Sequence, residues 1–322
     1  MTRAQWLVSW LLTGIACSAF GQTGSQLTEP PQAPPSRWQQ DKEALDQAMR
    51  ARALTANEPR DLWVSGQLET GDPWAQVSAL AQARTRVPGD KLFLGSLAVA
   101  CLVPMQPLAP ECDATDRLAD WATRDDDNGV QVLLLANRAR LRNNPAAMIA
   151  FLEEAATRPR FDDYQSRGAL LWWEAVRAVP GTVDPAARAE LAASYALARR
   201  PYALSQMQLL CSDASRLPDN VRSACASAGA ALAQRGANWS LRIAGARLAE
   251  RTVAPGAAYA TAQQRVIDLQ RRAFECAEAG NAVAQAFESP DAAVRARAVA
   301  QWEARLALEA RVGEVAACET KG

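Results

Sequence analysis

Histidine is absent from all 322 residues. That removes serine–histidine and cysteine–histidine nucleophile pairs, the H-E-x-x-H zinc helix, histidine-ligated haem and imidazole proton shuttles. Neither G-x-x-x-x-G-K-[ST] nor G-x-G-x-x-G occurs, so the usual phosphate cradles are missing, and no Ser-x-x-Lys precedes any of the three lysines, Lys42, Lys91 and Lys321. Charge of one sign is also lacking. Lysines and arginines number 35 and so do aspartates and glutamates, which gives no electrostatic signature of nucleic acid or of an anionic membrane. Strand-like alternation bounded by turn signals is found nowhere, and after the first 21 residues no apolar run is long enough to span a bilayer. The residues nominate no catalytic group, no cofactor and no metal ligand.

What is present begins with an export signal. Arg3 gives a short positive start, Trp6 to Phe20 is apolar, and Ala19-Phe-Gly21 places small residues where a signal peptidase reads, so cleavage is expected after Gly21 (residues 1–21). The competing reading is a lipid anchor at Cys17, because Gly14-Ile-Ala-Cys17 loosely follows the small-residue box before a lipidated cysteine. The abundance of alanine and arginine points to a GC-rich bacterial gene. Six cysteines remain: Cys101, Cys112, Cys211, Cys225, Cys276 and Cys318. An even set in an oxidising compartment reads as disulfides. Six cysteines allow 15 connectivities, and the order along the chain suggests one: Cys101 with Cys112 and Cys211 with Cys225, each pair flanking a turn and clipping successive helices, and Cys276 with Cys318 tying down the last one. Closing a loop of this size contributes about 3 kcal/mol in the chain-entropy model.

Residues 22–36, QTGSQLTEPPQAPPS, are proline-rich and polar, and read as an extended, disordered tether. From there to residue 322 the apolar spacing is helical, which predicts an all-α domain with a subdivision near 180–184. Asp72-Pro73, Asn144-Pro145, Asp184-Pro185 and Ser289-Pro290-Asp291 read as helix starts, with a capping side chain beside a proline that lacks only an N–H the first turn does not use. Asp90, Asn128, Asn220 and Asn238 read as further caps. About a dozen helices in short antiparallel hairpins follow, the last two at roughly 257 to 285 and 290 to 318.

A weak repeat lies beneath this pattern. Aligning Asp90, Asn128 and Asn220 puts Ala98, Ala136 and Ala228 eight residues later, and small residues at fixed helical positions let helices approach closely. The unit NGVQVLLLANRARLRNNPAAMIAFLEEAATRP, residues 128–159, resembles a tetratricopeptide-like helical hairpin. Leu135 and Ala136 stand at its large–small pair, Ala147 and Phe151 match the second helix and Pro159 its end, while Val132 stands where an aromatic is expected. The resemblance implies stacked hairpins, as a solenoid or an irregular α-bundle, with a concave face for a partner and no catalytic residue.

TRDDDNGVQ, residues 123–131, looks most like chemistry. With Gly129 at the invariant glycine of a calcium loop, Asn128 and Asp126 fit, but the first ligand is Arg124 and the bidentate glutamate is Leu135. The stretch therefore reads as a helix cap, its acidic residues complementing the positive helix end. The doublets Glu153-Glu154 and Asp162-Asp163 read as a solvated face and another cap, since neighbours on a helix point about 100° apart. Residues 158–179, RPRFDDYQSRGALLWWEAVRAV, are the best binding candidate: Trp172 is in phase with the core, Trp173 points toward a groove, and Arg158, Arg160, Tyr164 and Arg167 are types that anchor interfaces. Asn238-Trp-Ser240 reads as a cap, although formally a glycosylation sequon.

These features point to a periplasmic or secreted, non-catalytic protein-binding or scaffold module, one form of which is an inhibitor or immunity protein. The alternative is a hydrolase that works on cell-wall glycan through carboxylates from two elements about 5–9 Å apart.

Overall fold

The computed structural model describes residues 37–55, 57–68, 72–102, 109–113, 116–198, 211, 218–254 and 256–320. The expected signal (1–21), the tether (22–36) and Cys17 lie outside the described residues. Within them the chain forms 15 helices and no strand. In chain order these are α1 (Arg37–Thr55), α2 (Pro59–Leu68), α3 (Pro73–Arg86), α4 (Lys91–Ala100), α5 (Pro110–Asp113), α6 (Arg117–Arg124), α7 (Val130–Leu141), α8 (Pro145–Thr157), α9 (Gln165–Arg177), α10 (Pro185–Ala198), α11 (Asp219–Arg235), α12 (Trp239–Glu250), α13 (Ala257–Ala286), α14 (Ala292–Val312) and α15 (Glu314–Glu319).

Caps set most of these starts. Asp72 accepts from the amide of Trp74 (2.9 Å), Asp90 from Leu92 (2.9 Å), Asn144 from Ala147 (3.1 Å), Asp184 from Ala186 (2.8 Å), Asn238 from Leu241 (2.8 Å) and Asp291 from Ala293 (2.7 Å). Each satisfies a donor that the first turn leaves without an intrahelical partner. Asn220 departs from the expectation. Pro218 is extended and α11 begins at Asp219, so Asn220 lies inside the first turn. The helix expected over 290 to 318 is broken at Gly313, whose φ of +88° only glycine adopts readily; a Cβ there would also meet the carbonyl of Ala237 at 2.9 Å.

Successive helices pair as hairpins: α2 with α3, α7 with α8, α11 with α12. Ala98, Ala136 and Ala228 are all buried. Between α11 and α12 the backbones nearly touch, since a Cβ on Gly245 would lie 2.4 Å from the Ala233 amide nitrogen. The hairpins do not continue as an open superhelix. Helix α9 packs against α1, α2, α10 and α14, and α14 also returns to α10, so the chain closes around α9 and the hydrophobic cluster runs from Leu45 to Leu306 across residues 180–184. Trp172, the core aromatic of α9, stacks on Tyr195 at 4.4 Å and meets Trp63 edge-on at 5.7 Å.

The cysteines pair as the spacing suggests: Cys101 with Cys112, Cys211 with Cys225 and Cys276 with Cys318, at Cα separations of 5.5, 6.3 and 6.0 Å. No helix among the described residues is long and apolar enough to cross a membrane.

Candidate functional site

Four connections between helices bond to one another through their backbones. Gly129 donates to the carbonyl of Arg160 (2.8 Å), Phe161 to Arg235 (3.2 Å), Ala237 to Phe161 (2.8 Å) and Val315 to Ala237 (3.1 Å), with parallel bridges at Asn128–Arg160 and Phe161–Gly236. This ladder joins turns far apart in sequence. Gly129 is required within it, because a Cβ there would sit 2.3 Å from the Phe161 ring.

Two asparagines serve the ladder in the same way. Asn128 accepts from the amides of Val130 (3.2 Å) and Asp162 (3.0 Å) and donates to the carbonyl of Asp162 (2.7 Å). Asn238 caps α12 and donates to Asp163 Oδ1 (2.8 Å). A cluster of ionisable groups lies at each of these crossings.

The first cluster is built on Asp125, whose side chain is 0% exposed. Its Oδ1 meets Lys91 Nζ at 2.8 Å and Arg160 Nη2 at 2.5 Å; its Oδ2 accepts from Trp121 Nε1 (3.2 Å), Asn128 Nδ2 (2.8 Å) and Tyr164 OH (2.7 Å). Arg160 also forks onto Asp127, Nε and Nη2 both at 2.9 Å. That bidentate guanidinium holds the Asp127 carboxyl at about 2, well below its ordinary value. Burial pushes the Tyr164 hydroxyl upward. This buried carboxylate has the paired, hydrogen-bonded surroundings that make a buried charge tolerable.

The second cluster lacks such compensation. Asp162 and Asp163 lie just before α9 and accept from Tyr164 N (2.8 Å) and Gln165 N (3.2 Å), but neither is the expected cap: Tyr164, in the left-handed region at φ +61°, holds the N-cap position without a side-chain cap bond. Asp163 Oδ2, however, is enclosed and has no hydrogen-bond partner. Across the Asn238–Trp239 step stands Glu314, whose Oε2 accepts from the Trp239 amide at 3.1 Å. Burial, with the charges of Asp162 and Glu314, pushes the Asp163 carboxyl up to about 7; burial and Glu309 push Glu314 to about 6.

The candidate interface residues of 158–179 are engaged within the chain, the arginines only half-buried. Arg158 pairs with Glu154, Arg160 and Tyr164 belong to the Asp125 cluster, and Arg167 pairs with Asp90. Trp173 lines no groove. It is 3% exposed and packs edge-on against Trp302 at 5.1 Å, because α14 covers the face of α9 that hairpin stacking alone would leave open. Sequence reasoning missed Asp125, Lys91 and Glu314. The one available signal was that Lys91 is among just three lysines.

An open cleft of about 500 Å³ lies where α2, α4 and α9 meet, with Phe93, Val87 and Pro59 as apolar lining and Glu58, Arg60, Asp90 and Glu174 as charged lining. Arg60 is held by Asp61 and Asp90 by Arg167. Glu58 and Glu174 have no ion-pair partner among the described residues. Among those residues no group of three or more histidine, cysteine, aspartate or glutamate side chains is placed to hold a metal ion. No family model matches the chain, and neither a curated protein nor a solved structure matches it.

Proposed function

We propose that the protein is an exported, non-catalytic protein-binding module of the bacterial periplasm, and that the cleft between α2, α4 and α9 receives a basic side chain of its partner. The observation that carries this reading is the cleft's unmatched charge. The buried Asp125 is neutralised from within, whereas Glu58 and Glu174 face open space beside the apolar Phe93 and Val87. A lysine or arginine side chain, with its apolar stem and charged head, complements such a lining. Export is supported by the paired cysteines together with the N-terminal pattern. Among such modules, an inhibitor or immunity protein that clamps a basic exported enzyme fits the same chemistry.

Affinity capture from an envelope extract tests this, run in parallel with the wild type and the Glu58→Gln/Glu174→Gln variant. A partner retained by the first and lost by the second, with both equally folded, is the expected result; identical capture profiles would remove the cleft from the binding surface. Thiol titration of the unreduced, denatured protein addresses the compartment. No free thiol among the six cysteines is expected, and six free thiols would overturn the export reading.

One observation favours a carboxylate hydrolase instead: Asp163 and Glu314 come from separate elements and both hold their protons more tightly than usual. Against it, an acid catalyst must present its oxygen to the substrate, and Asp163 Oδ2 is enclosed. Glycan release that disappears in both Asp163→Asn and Glu314→Gln would reverse this ranking.

A further inference from the structure

We infer that Asp163 and Glu314 form a proton-dependent clasp, which fastens the C-terminal segment from Gly313 onward to the turn at 235–239 and loosens when the pair loses its protons.

The geometry isolates the last step of the turn ladder. The segment is held to that turn through the Val315 amide on the Ala237 carbonyl (3.1 Å) and through Glu314 Oε2 on the Trp239 amide (3.1 Å). Asp163 accepts from the same turn through Asn238 Nδ2 (2.8 Å). Two carboxylates therefore flank two adjacent residues, and one of their oxygens, Asp163 Oδ2, is shut off from water with nothing to accept from. A carboxylic acid tolerates that position; a carboxylate there is an unpaired buried charge.

The surrounding charges increase the penalty. Asp163 faces Asp162 and Glu314, and Glu314 faces Glu309 and Arg305 of α14. Arg305 is engaged by Glu309 (Nε–Oε1 2.6 Å). Asp162 faces Asp125, Arg167 and Arg160, whose Nη1 lies 3.6 Å from Asp162 Oδ2; Arg160 is shared with Asp125 and Asp127, Arg167 pairs with Asp90, and neither cation is paired with Asp163. The raised values of Asp163 and Glu314 agree with this geometry.

The sign follows from linkage. Both groups are raised in the closed form, so the clasp is fully fastened below the ordinary carboxylate range of about 4 and loses stability as pH rises toward about 7. The open form is bounded by covalent structure. Cys318 stays tied to Cys276 of α13, so the segment swings on a tether and remains near its dock.

Hydrogen exchange on the full oxidised protein tests the clasp, with amide rates at Trp239 and Val315 corrected for intrinsic chemistry and Gly129 as an internal control. Between about pH 5.5 and pH 8, protection at Trp239 and Val315 is expected to fall by about ten-fold or more, since one linked proton changes an equilibrium by up to that factor per pH unit. Protection at Gly129, normalised in the same way, should hold. The Asp163→Asn/Glu314→Gln double variant, neutral at both positions at every pH, should keep the pH 8 protection near its pH 5.5 value. Each single variant should show a smaller pH dependence than the wild type, and serves should the double variant not fold. Wild-type protection constant to within about two-fold across the range, or a pH dependence that survives undiminished in the folded variants, would overturn the inference.

Discussion

The two ends of the turn ladder place carboxylates at matching crossings and treat them in opposite ways. At Asn128 the carboxylate of Asp125 is fully buried yet meets Lys91, Arg160, Trp121, Asn128 and Tyr164. At Asn238, Asp163 has one oxygen satisfied and one abandoned, with Glu314 across the step in place of a cation. Burial alone therefore does not decide whether an acidic group supports the fold. The partners do, and they differ because Lys91 and the short bonds of Arg160 go to the first crossing, while Arg160 reaches the second only at Asp162 (3.6 Å) and no cation pairs with Asp163.

The same chemical change should separate the two ends. Asp125→Asn removes the charge that Arg160 and Lys91 oppose, and is expected to cost about 3 kcal/mol, lowering the melting temperature at pH 7 by roughly 5 °C in a chain of this size. A loss below about 1 kcal/mol would place that network with ordinary surface pairs. Asp163→Asn should act in the opposite direction, stabilising by about 1–2 kcal/mol at pH 8 and by little at pH 4, because wild-type Asp163 has its proton at the lower pH. Denaturant titrations at the two pH values measure this, and a destabilised variant at both would give Asp163 an ordinary capping role.

The smallest effect is expected at Asp127. Its carboxyl is held low by Arg160, so its contribution is present above about pH 4 and lost as pH falls toward about 2. Its side chain is 46% exposed, which keeps the contribution small. Asp127→Asn should change stability at pH 7 by no more than about 1 kcal/mol and flatten the acid limb of the stability curve between about pH 4 and pH 2.

Much of the local structure was legible in the chain. Aspartates and asparagines beside prolines marked helix starts, and cysteines that flank turns marked their own partners, because caps and short loop closures involve neighbours in sequence. Gly313 shows the limit. Beside its positive φ stands Ala237, 76 residues away by number (313 − 237), whose carbonyl a side chain at Gly313 would meet, and no local pattern announced that approach. Trp173 shows the same limit on a helix face: the periodicity that placed Trp172 inside also left Trp173 to one side, and only α14 covers that side.

By itself the sequence determined the all-α class, most helix starts, an even set of cysteines with a suggested pairing, and the mechanisms that a chain without histidine cannot use. Those properties depend on residue type and on spacing within a turn or a short loop. Only the tertiary structure decided that the hairpins close around α9, that their turns zip into a ladder, and that one aspartate of the ladder is neutralised while another is not. Each of those outcomes depends on which distant side chain arrives opposite, and that is set by long-range packing, which leaves no trace in local periodicity.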